Sequence, residues 1–437
     1  MNESVMDNPN AIYTGVVEGL AYGGLGIVRH SGLVVFIPFS APGDTVSFKI
    51  IKKKRSYAEG QIVEIIEASP LRIVPKCSHF RVCGGCQLQH LSYPTQLAHK
   101  QQVVADALER IGGIHGFPVL PVIPTEDIWA YRRHISLNSR SEDGKGYDIG
   151  YIAADHSSFL PINECPIFSE EKDRIFLHLR DVFARLNTSQ EGEGRGILIK
   201  QEGGSFLGYF FFSVIPSNAE EIFAVLLQKS SLFRGVILAS PETNHHLGET
   251  SAHLSVEGLV IQFTPKSFVQ NHPGQSLAIY RQLIQIVQEC EAKKIIDLYC
   301  GIGISSLLLA RTGCEVTGVE NNKEAVKNAV QNARQNDIGS VRFIEADAGR
   351  VLERLLVERK PDLVIVNPPR IGLDPRVVNA LVLHGPRTIV YISCKPSTLA
   401  RDLRLLCHKR YQLTSCQPYD MFPQTGHVET VAVLQSL

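Results

Sequence analysis

The stretch KIIDLYCGIGISSLLLARTGCEVTGVE, residues 294–320, decides the fold of the C-terminal part of this chain. It reads as an apolar run, a glycine-rich turn, a helix-like segment and a second apolar run. Further apolar runs follow at 362–367 (DLVIVN) and 388–393 (TIVYIS). Short apolar runs separated by helical segments are typical of buried parallel strands. The pattern predicts a Rossmann-like, doubly wound α/β domain over 269–437.

The ends of these predicted strands carry the features of a nucleoside site. Gly301 follows the first strand and lets a ligand approach the backbone, and Glu320 at the tip of the second strand can accept from ribose hydroxyls. The third glycine of the dinucleotide fingerprint is missing, which favours S-adenosylmethionine over a nicotinamide cofactor. Asp347, after a later strand, can accept from the adenine amino group or cap the next helix.

The remainder of the chain predicts two further domains. Residues 1–70 contain short β-branched runs between Gly, Pro and Asp turns, as in a small TRAM-like or OB-like β-barrel. Residues 71–268 mix strands and helices, and a helix is predicted over 93–115. The basic run 52–55 (KKKR) indicates either an RNA-binding surface or a solvated edge strand. The segment 129–134 (WAYRRH) interleaves aromatic and cationic residues and is a second candidate RNA surface.

A cysteine cluster lies in the predicted central domain. Cys77, Cys83 and Cys86 fall within ten positions, with Gly84 between the last two, and Cys165 follows in NECPIF. Four thiolates suit either zinc or an iron-sulfur cluster, and their spacing does not choose between the two.

Composition bounds the class of protein. The chain has 437 residues, 44% hydrophobic and 20% charged, which predicts a folded multidomain protein. Its 44 basic residues balance 44 acidic ones, so any contact with nucleic acid must come from local patches. Neither a signal peptide nor a membrane span is evident. We therefore expect a cytoplasmic monomer with no membrane partner.

The motif ISCKPST (392–398) predicts the chemistry. Cys394 ends a buried strand beside Lys395 and a helix start, which predicts an exposed thiol with a lowered pKa. Glu429 stands at the entrance of the last strand. A thiol adding to C6 of uracil, with a carboxylate removing the C5 proton, would permit methylation at C5. His427 competes as the base, but its side chain would point away if the strand began there.

A further motif, NPPR (367–370), follows a strand and alone would suggest methylation of an amino group. Together the motifs DLYCGIG, GVE, NPPR, ISCKPSTLARD, DMFPQTGHVET, FVQN and CSHFRVCGGC closely resemble those of the RNA uracil-C5 methyltransferases, over almost the whole chain. The combination of a TRAM barrel with the cysteine cluster is most similar to the family members that act on 23S ribosomal RNA. The resemblance therefore implies 23S rRNA as the partner.

The resemblance also implies roles for individual residues. It implies that helix 93–115 packs on the catalytic domain, that Cys394 is the nucleophile and that Glu429 is the base. The implied ligands of a [4Fe-4S] cluster are Cys77, Cys83, Cys86 and Cys165. The implied S-adenosylmethionine contacts are Gln270, Tyr299, Gly301, Glu320, Asp347 and Asn367.

Two positions depart from the family pattern. Ile304 stands where relatives commonly have Asn, and Asn367 stands where they usually have Asp; an Asn accepts hydrogen bonds but carries no charge. The alternatives are the same chemistry on tRNA, an RNA-binding or assembly protein that has lost activity, and an iron-sulfur redox sensor.

Overall fold

The computed structural model describes residues 11–141, 146–155, 157–168, 172–187, 192–200 and 204–437. Its N-terminal strands are β1 (Tyr13–Val16), β2 (Gly19–Ala21), β3 (Leu25–His30), β4 (Leu33–Ile37), β5 (Thr45–Lys53) and β6 (Tyr57–Glu67). They form a six-stranded sheet in the order β1-β5-β6-β4-β3-β2. Residues 17 and 18, between β1 and β2, bond to both sides: the Val17 N–H donates to the carbonyl of Asp44 beside β5, and the Glu18 N–H donates to the carbonyl of Ile27 in β3. The two ends of this order therefore meet and the sheet closes. The predicted β-barrel is confirmed.

The basic run 52–55 lies at the connection between β5 and β6. All four of its side chains are exposed, and none of them takes part in an ion pair between described residues. The barrel thus presents a compact positive patch.

The central part contains α1 (Tyr93–Arg110), β7 (His134–Ser141), β8 (Asp148–Ile152), β9 (Phe159–Pro161), α2 (Lys172–Ala184), β10 (Gly192–Lys200), β11 (Phe206–Phe212), α3 (Ala219–Lys229), β12 (Phe233–Ala239) and β13 (Asn244–Gly248). Its strands form a seven-stranded sheet in the order β13-β12-β11-β10-β7-β8-β9. The core beside this sheet is aromatic, with Phe183, Phe210 and Phe223 in mutual ring contact.

The C-terminal part contains β14 (Ala252–Val256), β15 (Leu259–Phe263), α4 (Pro273–Glu289), β16 (Lys294–Leu298), α5 (Ile304–Arg311), β17 (Glu315–Glu320), α6 (Lys323–Gln335), β18 (Val341–Glu345), α7 (Ala348–Arg359), β19 (Leu363–Val366), α8 (Pro375–His384), β20 (Thr388–Ser393), α9 (Pro396–Cys407), β21 (Tyr411–Tyr419) and β22 (Glu429–Ser436). The sheet order is β18-β17-β16-β19-β20-β22-β21. The first five strands are parallel, as predicted, whereas β22 runs antiparallel to both β20 and β21.

The hairpin β14–β15 packs against the C-terminal part. Leu254, Ile261 and Phe263 share one buried cluster with residues of α5 and α6, including Leu308 and Ala325. The predicted boundary between residues 268 and 269 assigns this hairpin to the central domain. Its apolar contacts with α5 and α6 are made in the C-terminal part.

Helix α1 connects the central and C-terminal parts. It ends at Arg110, before the Gly-Gly pair, and its face with Val104, Ala107 and Leu108 joins the core that contains α9. No helix in the described part of the chain is long and apolar enough to cross a membrane.

Helix α1 also holds the segment between β21 and β22, residues 420–428, which we call the linking segment. The ammonium of Lys100 lies 2.5 Å from a carboxylate oxygen of Asp420, and it donates to the carbonyl of Phe422 at 2.9 Å. Both charged side chains are buried, at 1% and 0% exposure. Gln96 and Gln424 exchange two hydrogen bonds of 3.0 Å. Since buried polar groups are costly when left unpaired, these contacts define one position for the segment.

Replacing Lys100 by Met tests the strength of this connection. The variant leaves Asp420 buried without its cation, so we expect the free energy of unfolding to fall by about 3–5 kcal/mol. Arg110→Met is the matched control on the same helix, because the Arg110–Asp106 pair is exposed and contributes roughly 0–1 kcal/mol. Urea denaturation followed by the fluorescence of Trp129, the only tryptophan, measures both. Equal losses in the two variants would show that the linking segment does not depend on Lys100.

Candidate active site

A cavity opens at the carboxyl ends of β16 and β19. Gln270, Tyr299, Gly301 and Asn367 all line it, although they come from three separate parts of the sequence. Ile304 lines the same cavity as the first residue of α5, and its side chain is buried against the hairpin β14–β15. The structure therefore brings four of the predicted cofactor contacts together.

The turn after β16 contains three residues with left-handed backbone conformations. Tyr299, Gly301 and Gly303 have φ angles of 62°, 56° and 87°. A Cβ at position 303 would lie 2.7 Å from the ring of Phe343, so only glycine fits there. The turn consequently keeps its backbone close to the cavity.

Glu320 lies at the tip of β17 and braces this turn. One carboxylate oxygen accepts from the Gly301 N–H at 3.1 Å, and the other accepts from the N–H groups of Asn321 and Asn322 at 2.9 Å each. A carboxylate has about four acceptor positions, so about one remains for a ligand hydroxyl. Glu320 thus shapes the turn and is bonded to Gly301, which lines the cavity.

Asp347 is the residue before α7, but its side chain does not cap that helix. It pairs instead with Arg376 at 3.1 Å, and Arg376 also contacts Asp374 at 2.7 Å. The expected capping role of the Asp347 side chain is therefore wrong. The half-exposed carboxylate stays beside the end of β18.

Cys394 and Glu429 meet across two neighbouring strands. Ser393 at the end of β20 is opposite Thr430 in β22, so the next residues along the same register, Cys394 and Glu429, face each other. Glu429 is the first residue of β22 and is 3% exposed, whereas Cys394 is half-buried. The antiparallel β22 is what creates this pairing.

The electrostatics of this pair differ from the expectation for the thiol. Burial raises the pKa of Cys394, the nearby Glu429 carboxylate raises it further, and the Arg370 guanidinium opposes both. The predicted lowering by Lys395 is wrong, because desolvation dominates and the cation facing the sulfur is Arg370. Burial also raises the pKa of Glu429 to about 8, against the same opposing guanidinium.

Arg370 and His427 extend the site; the sequence offered His427 only as a competing base and gave Arg370 no role. A guanidinium nitrogen of Arg370 lies 3.1 Å from Nε2 and 3.4 Å from Nδ1 of His427, and the hydroxyl of Tyr22 in the barrel lies 3.3 Å from Nδ1. The expectation that His427 points away is wrong, because its ring contacts the guanidinium that faces Cys394, and residues two apart in a strand point to the same side. The NPPR motif carried Arg370, but no local signal links Tyr22 to this site.

The four clustered cysteines line one cavity of the central part. Cys77, Cys83, Cys86 and Cys165 are all free thiols there, together with Arg132. Burial raises the pKa of Cys77 to about 11 and of Cys86 to about 12, so these thiols are protonated unless a cation binds.

The donor set of this cavity is that of a metal site. Four thiolates suit either zinc or an iron-sulfur cluster. Within the described ranges, however, no three His, Cys, Asp or Glu side chains are arranged so that they could hold a metal ion. The chemistry of the four thiols fits either kind of group, whereas their placement selects neither.

The second candidate RNA surface is only partly exposed. Tyr131 is 5% exposed, stacks on His272 at 4.9 Å and donates to the carbonyl of Pro423 at 3.0 Å. Arg132 lines the cysteine cavity. The other aromatic and cationic residues of WAYRRH are half-buried. Tyr131 therefore cannot serve as a stacking platform, whereas RNA binding by the rest of the segment stays a prediction.

Comparisons with known proteins agree along the whole chain. Residues 249–437 match the family model described as tRNA (Uracil-5-)-methyltransferase, and residues 13–71 match the model described as tRNA (uracil(54)-C(5))-methyltransferase, TRAM domain. An uncharacterized RNA methyltransferase of Protochlamydia amoebophila is 42% identical over 97% of this chain and 97% of that protein. Another from Halalkalibacterium halodurans is 33% identical over 98% of each.

The fold is also similar to a solved structure, the Pyrococcus abyssi tRNA (uracil-54, C5)-methyltransferase in complex with S-adenosyl-L-homocysteine. The match has a TM-score of 0.77 and 26% identity, and it covers 97% of this chain and 100% of that one. The similarity therefore includes the barrel, the central part and the α/β domain.

Proposed function

The chain belongs to the family of S-adenosylmethionine-dependent RNA uracil-5-methyltransferases, and on that premise we propose that it methylates C5 of a uridine through a covalent bond between Cys394 and C6. The observation that carries this proposal is the pairing of Cys394 with Glu429 across β20 and β22, beside Arg370. A thiol and a carboxyl group at facing positions supply both functions that the reaction needs.

The proposed sequence of steps balances in electrons and protons. The Cys394 thiolate adds to C6, and the electron pair of the C5–C6 double bond moves to an enolate that makes C5 nucleophilic. S-adenosylmethionine, when bound, would supply the methyl group of its sulfonium; C5 takes the methyl, and the electron pair of the broken sulfur–methyl bond would stay on the sulfur as a neutral thioether. Glu429 then accepts the C5 proton, the double bond re-forms, and Cys394 leaves C6 as a thiolate.

Glu429 is better suited than His427 to be the base. Burial and nearby cations lower the pKa of His427 to about 4, and its Nε2 faces the Arg370 guanidinium. The pKa of Glu429, about 8, makes its carboxylate a stronger proton acceptor near neutral pH. Arg370 compensates the negative charge that forms on either Cys394 or Glu429.

For S-adenosylmethionine, we propose the cavity at the ends of β16 and β19. Gln270, Tyr299 and Asn367 would contact the cofactor, the Gly301 turn would admit it, and Glu320 and Asp347 would face its ribose and adenine. Asn367 retains an acceptor in this position, while Ile304 supplies only apolar surface.

For the cysteine cavity, we propose a [4Fe-4S] cluster held by Cys77, Cys83, Cys86 and Cys165. Four free thiols around one cavity support this assignment. The bound cluster would supply a cross-link between the 77–86 loop and the segment around Cys165. No step of methyl transfer requires electron transfer, so its role is structural.

The substrate RNA has two candidates. The resemblance of the barrel and cysteine cluster to the 23S ribosomal RNA enzymes favours 23S rRNA. The similarity to the Pyrococcus abyssi tRNA enzyme over 97% of this chain favours tRNA, because that protein shares the barrel.

Mass mapping of 5-methyluridine in RNA from cells with and without the gene separates the two candidates. We expect one or more 23S rRNA uridines to lose the methyl group when the gene is deleted, while tRNA keeps its 5-methyluridine. Loss from tRNA alone would assign the enzyme to tRNA, and no loss from either RNA would contradict the proposed activity.

Substitutions at the facing pair test the chemistry. Cys394→Ala should abolish methyl transfer while S-adenosylmethionine still binds, because no adduct activates C5. Glu429→Gln should allow methylation but block elimination, so a covalent protein–RNA complex should accumulate on a denaturing gel. Glu358→Gln, at an exposed carboxylate of α7 outside the pair, is the control and should turn over normally. Normal turnover by Glu429→Gln without adduct would show that another group is the base.

The metal content of anaerobically purified protein tests the cluster. We expect a brown protein with about four irons per chain. Replacing Cys86 by Ser should remove colour and iron, whereas Cys407→Ser, at a half-buried cysteine outside the cavity, should keep both. One zinc per chain and no iron would refute the assignment.

The exposed patch on the barrel predicts how RNA is held. Replacing Lys52, Lys53, Lys54 and Arg55 by Gln should weaken RNA binding and flatten its salt dependence, because fewer counterions are released. Replacing the exposed Lys229, Lys293, Lys294 and Lys409 outside the barrel is the control of equal charge. Filter binding at several salt concentrations measures both sets. An unchanged affinity and salt slope in the barrel variant would exclude the patch from RNA binding.

A further inference from the structure

A turn of the N-terminal barrel is packed into the site. Residues 22–24 connect β2 to β3, and the linking segment lies directly against them. A Cβ on Gly426 would come within 2.6 Å of the Gly23 backbone, so the backbones of the two segments are in contact with no side chain between them. The next residue, His427, faces the hydroxyl of Tyr22 at 3.3 Å.

His427 lies between the barrel and the loop after β19. One guanidinium nitrogen of Arg370 lies 3.1 Å from Nε2 and 3.4 Å from Nδ1 of its ring, and the Tyr22 hydroxyl lies 3.3 Å from Nδ1. A hydroxyl can donate to Nδ1 or accept from it, so the contact with Tyr22 forms in either tautomer of the neutral ring. The imidazole is therefore held between Tyr22 and Arg370.

We propose that Tyr22 is a positioning residue for the reaction: through its hydrogen bond with Nδ1 of His427 it holds the imidazole against Arg370, and so holds the guanidinium beside Cys394. This inference rests on the proposed role of Cys394 as the nucleophile. It assigns the barrel a part in the chemistry, in addition to any contact with RNA.

The surroundings of Cys394 explain why the position of Arg370 matters. The titratable and charged groups that face the sulfur are Glu429 from β22, Arg370 from the loop after β19 and Tyr22 from the barrel. Of these only Arg370 favours the thiolate. His427 itself faces Arg370, Tyr22 and, at longer range, Lys100 and Arg132. If Tyr22 no longer holds His427, the thiolate loses its one fixed countercharge.

The test replaces Tyr22 by Phe, which removes the hydroxyl that contacts His427 and keeps the ring. Tyr147→Phe is the matched control, because that ring packs on Phe183 and Phe212 of the central part. Iodoacetamide alkylation of Cys394 in the iron-loaded protein, followed by peptide mass spectrometry across pH, reports the thiolate without requiring RNA. We expect Tyr22→Phe to slow alkylation at neutral pH and to lower kcat, each roughly threefold to tenfold, as for one lost hydrogen bond. The KM for RNA should not change.

A double-variant comparison separates positioning from general damage. If Tyr22 acts through His427, then combining Tyr22→Phe with His427→Ala should be no slower than His427→Ala alone. If the rate losses of Tyr22→Phe and His427→Ala multiply in the double variant, Tyr22 does not act through His427. Alkylation and kcat equal to those of Tyr147→Phe, or a raised KM with normal alkylation, would overturn the inference. Absence of uracil methylation in the unmodified protein would instead refute the proposed function, while the alkylation result would still report on Tyr22.

Discussion

The buried ion pair between Lys100 and Asp420 is the contact on which the rest of the site depends. It anchors the linking segment at the point where the chain leaves β21, and β22 begins with Glu429 at the other end of that segment. Gln87, beside the cysteine loop, accepts from the Gly426 N–H, and its own N–H donates to Gln424. The position of Glu429 opposite Cys394 thus follows from contacts made by Lys100 and Gln87, which lie far from both residues in sequence.

This arrangement has an electrostatic consequence. Both Cys394 and Glu429 lose hydration on burial, so each is held nearer its neutral form than it would be in water. One guanidinium, Arg370, faces the pair and offsets whichever negative charge is present. A site with one cation and two acidic groups favours one negative charge at a time, which matches a reaction in which the thiolate and the carboxylate act in succession.

Much of this could be predicted from the sequence, because it depends on short patterns. The strand periodicity predicted β16, β17, β19 and β20 and their parallel arrangement, and the ISCKPST and GHVET motifs located Cys394 and Glu429. The contribution of Tyr22 could not be predicted, since 405 positions separate it from His427 and only the packing of the barrel brings them together. The same packing buries Tyr131, which reads as an exposed aromatic when its partner His272 is unknown.

Errors at the site share a physical cause. The prediction that Lys395 lowers the pKa of Cys394 assumed that the neighbour in sequence is also the nearest cation in space and that the thiol is exposed. Folding instead removes water from the sulfur and presents Arg370 from another loop. Likewise Asp347 stands at a capping position, but a strong cation, Arg376, is within 3.1 Å and pairs with its carboxylate.

Trapping the reaction on RNA that contains 5-fluorouridine tests whether Cys394 forms a covalent bond to C6 of the target base. Fluorine at C5 cannot leave as a cation, so the adduct should persist after methyl transfer. Peptide mass spectrometry should then find the RNA fragment, with one added methyl group, on the peptide that contains Cys394, and only when S-adenosylmethionine is present. A modified peptide from elsewhere in the chain, or methylated RNA released without any adduct, would contradict covalent catalysis by Cys394.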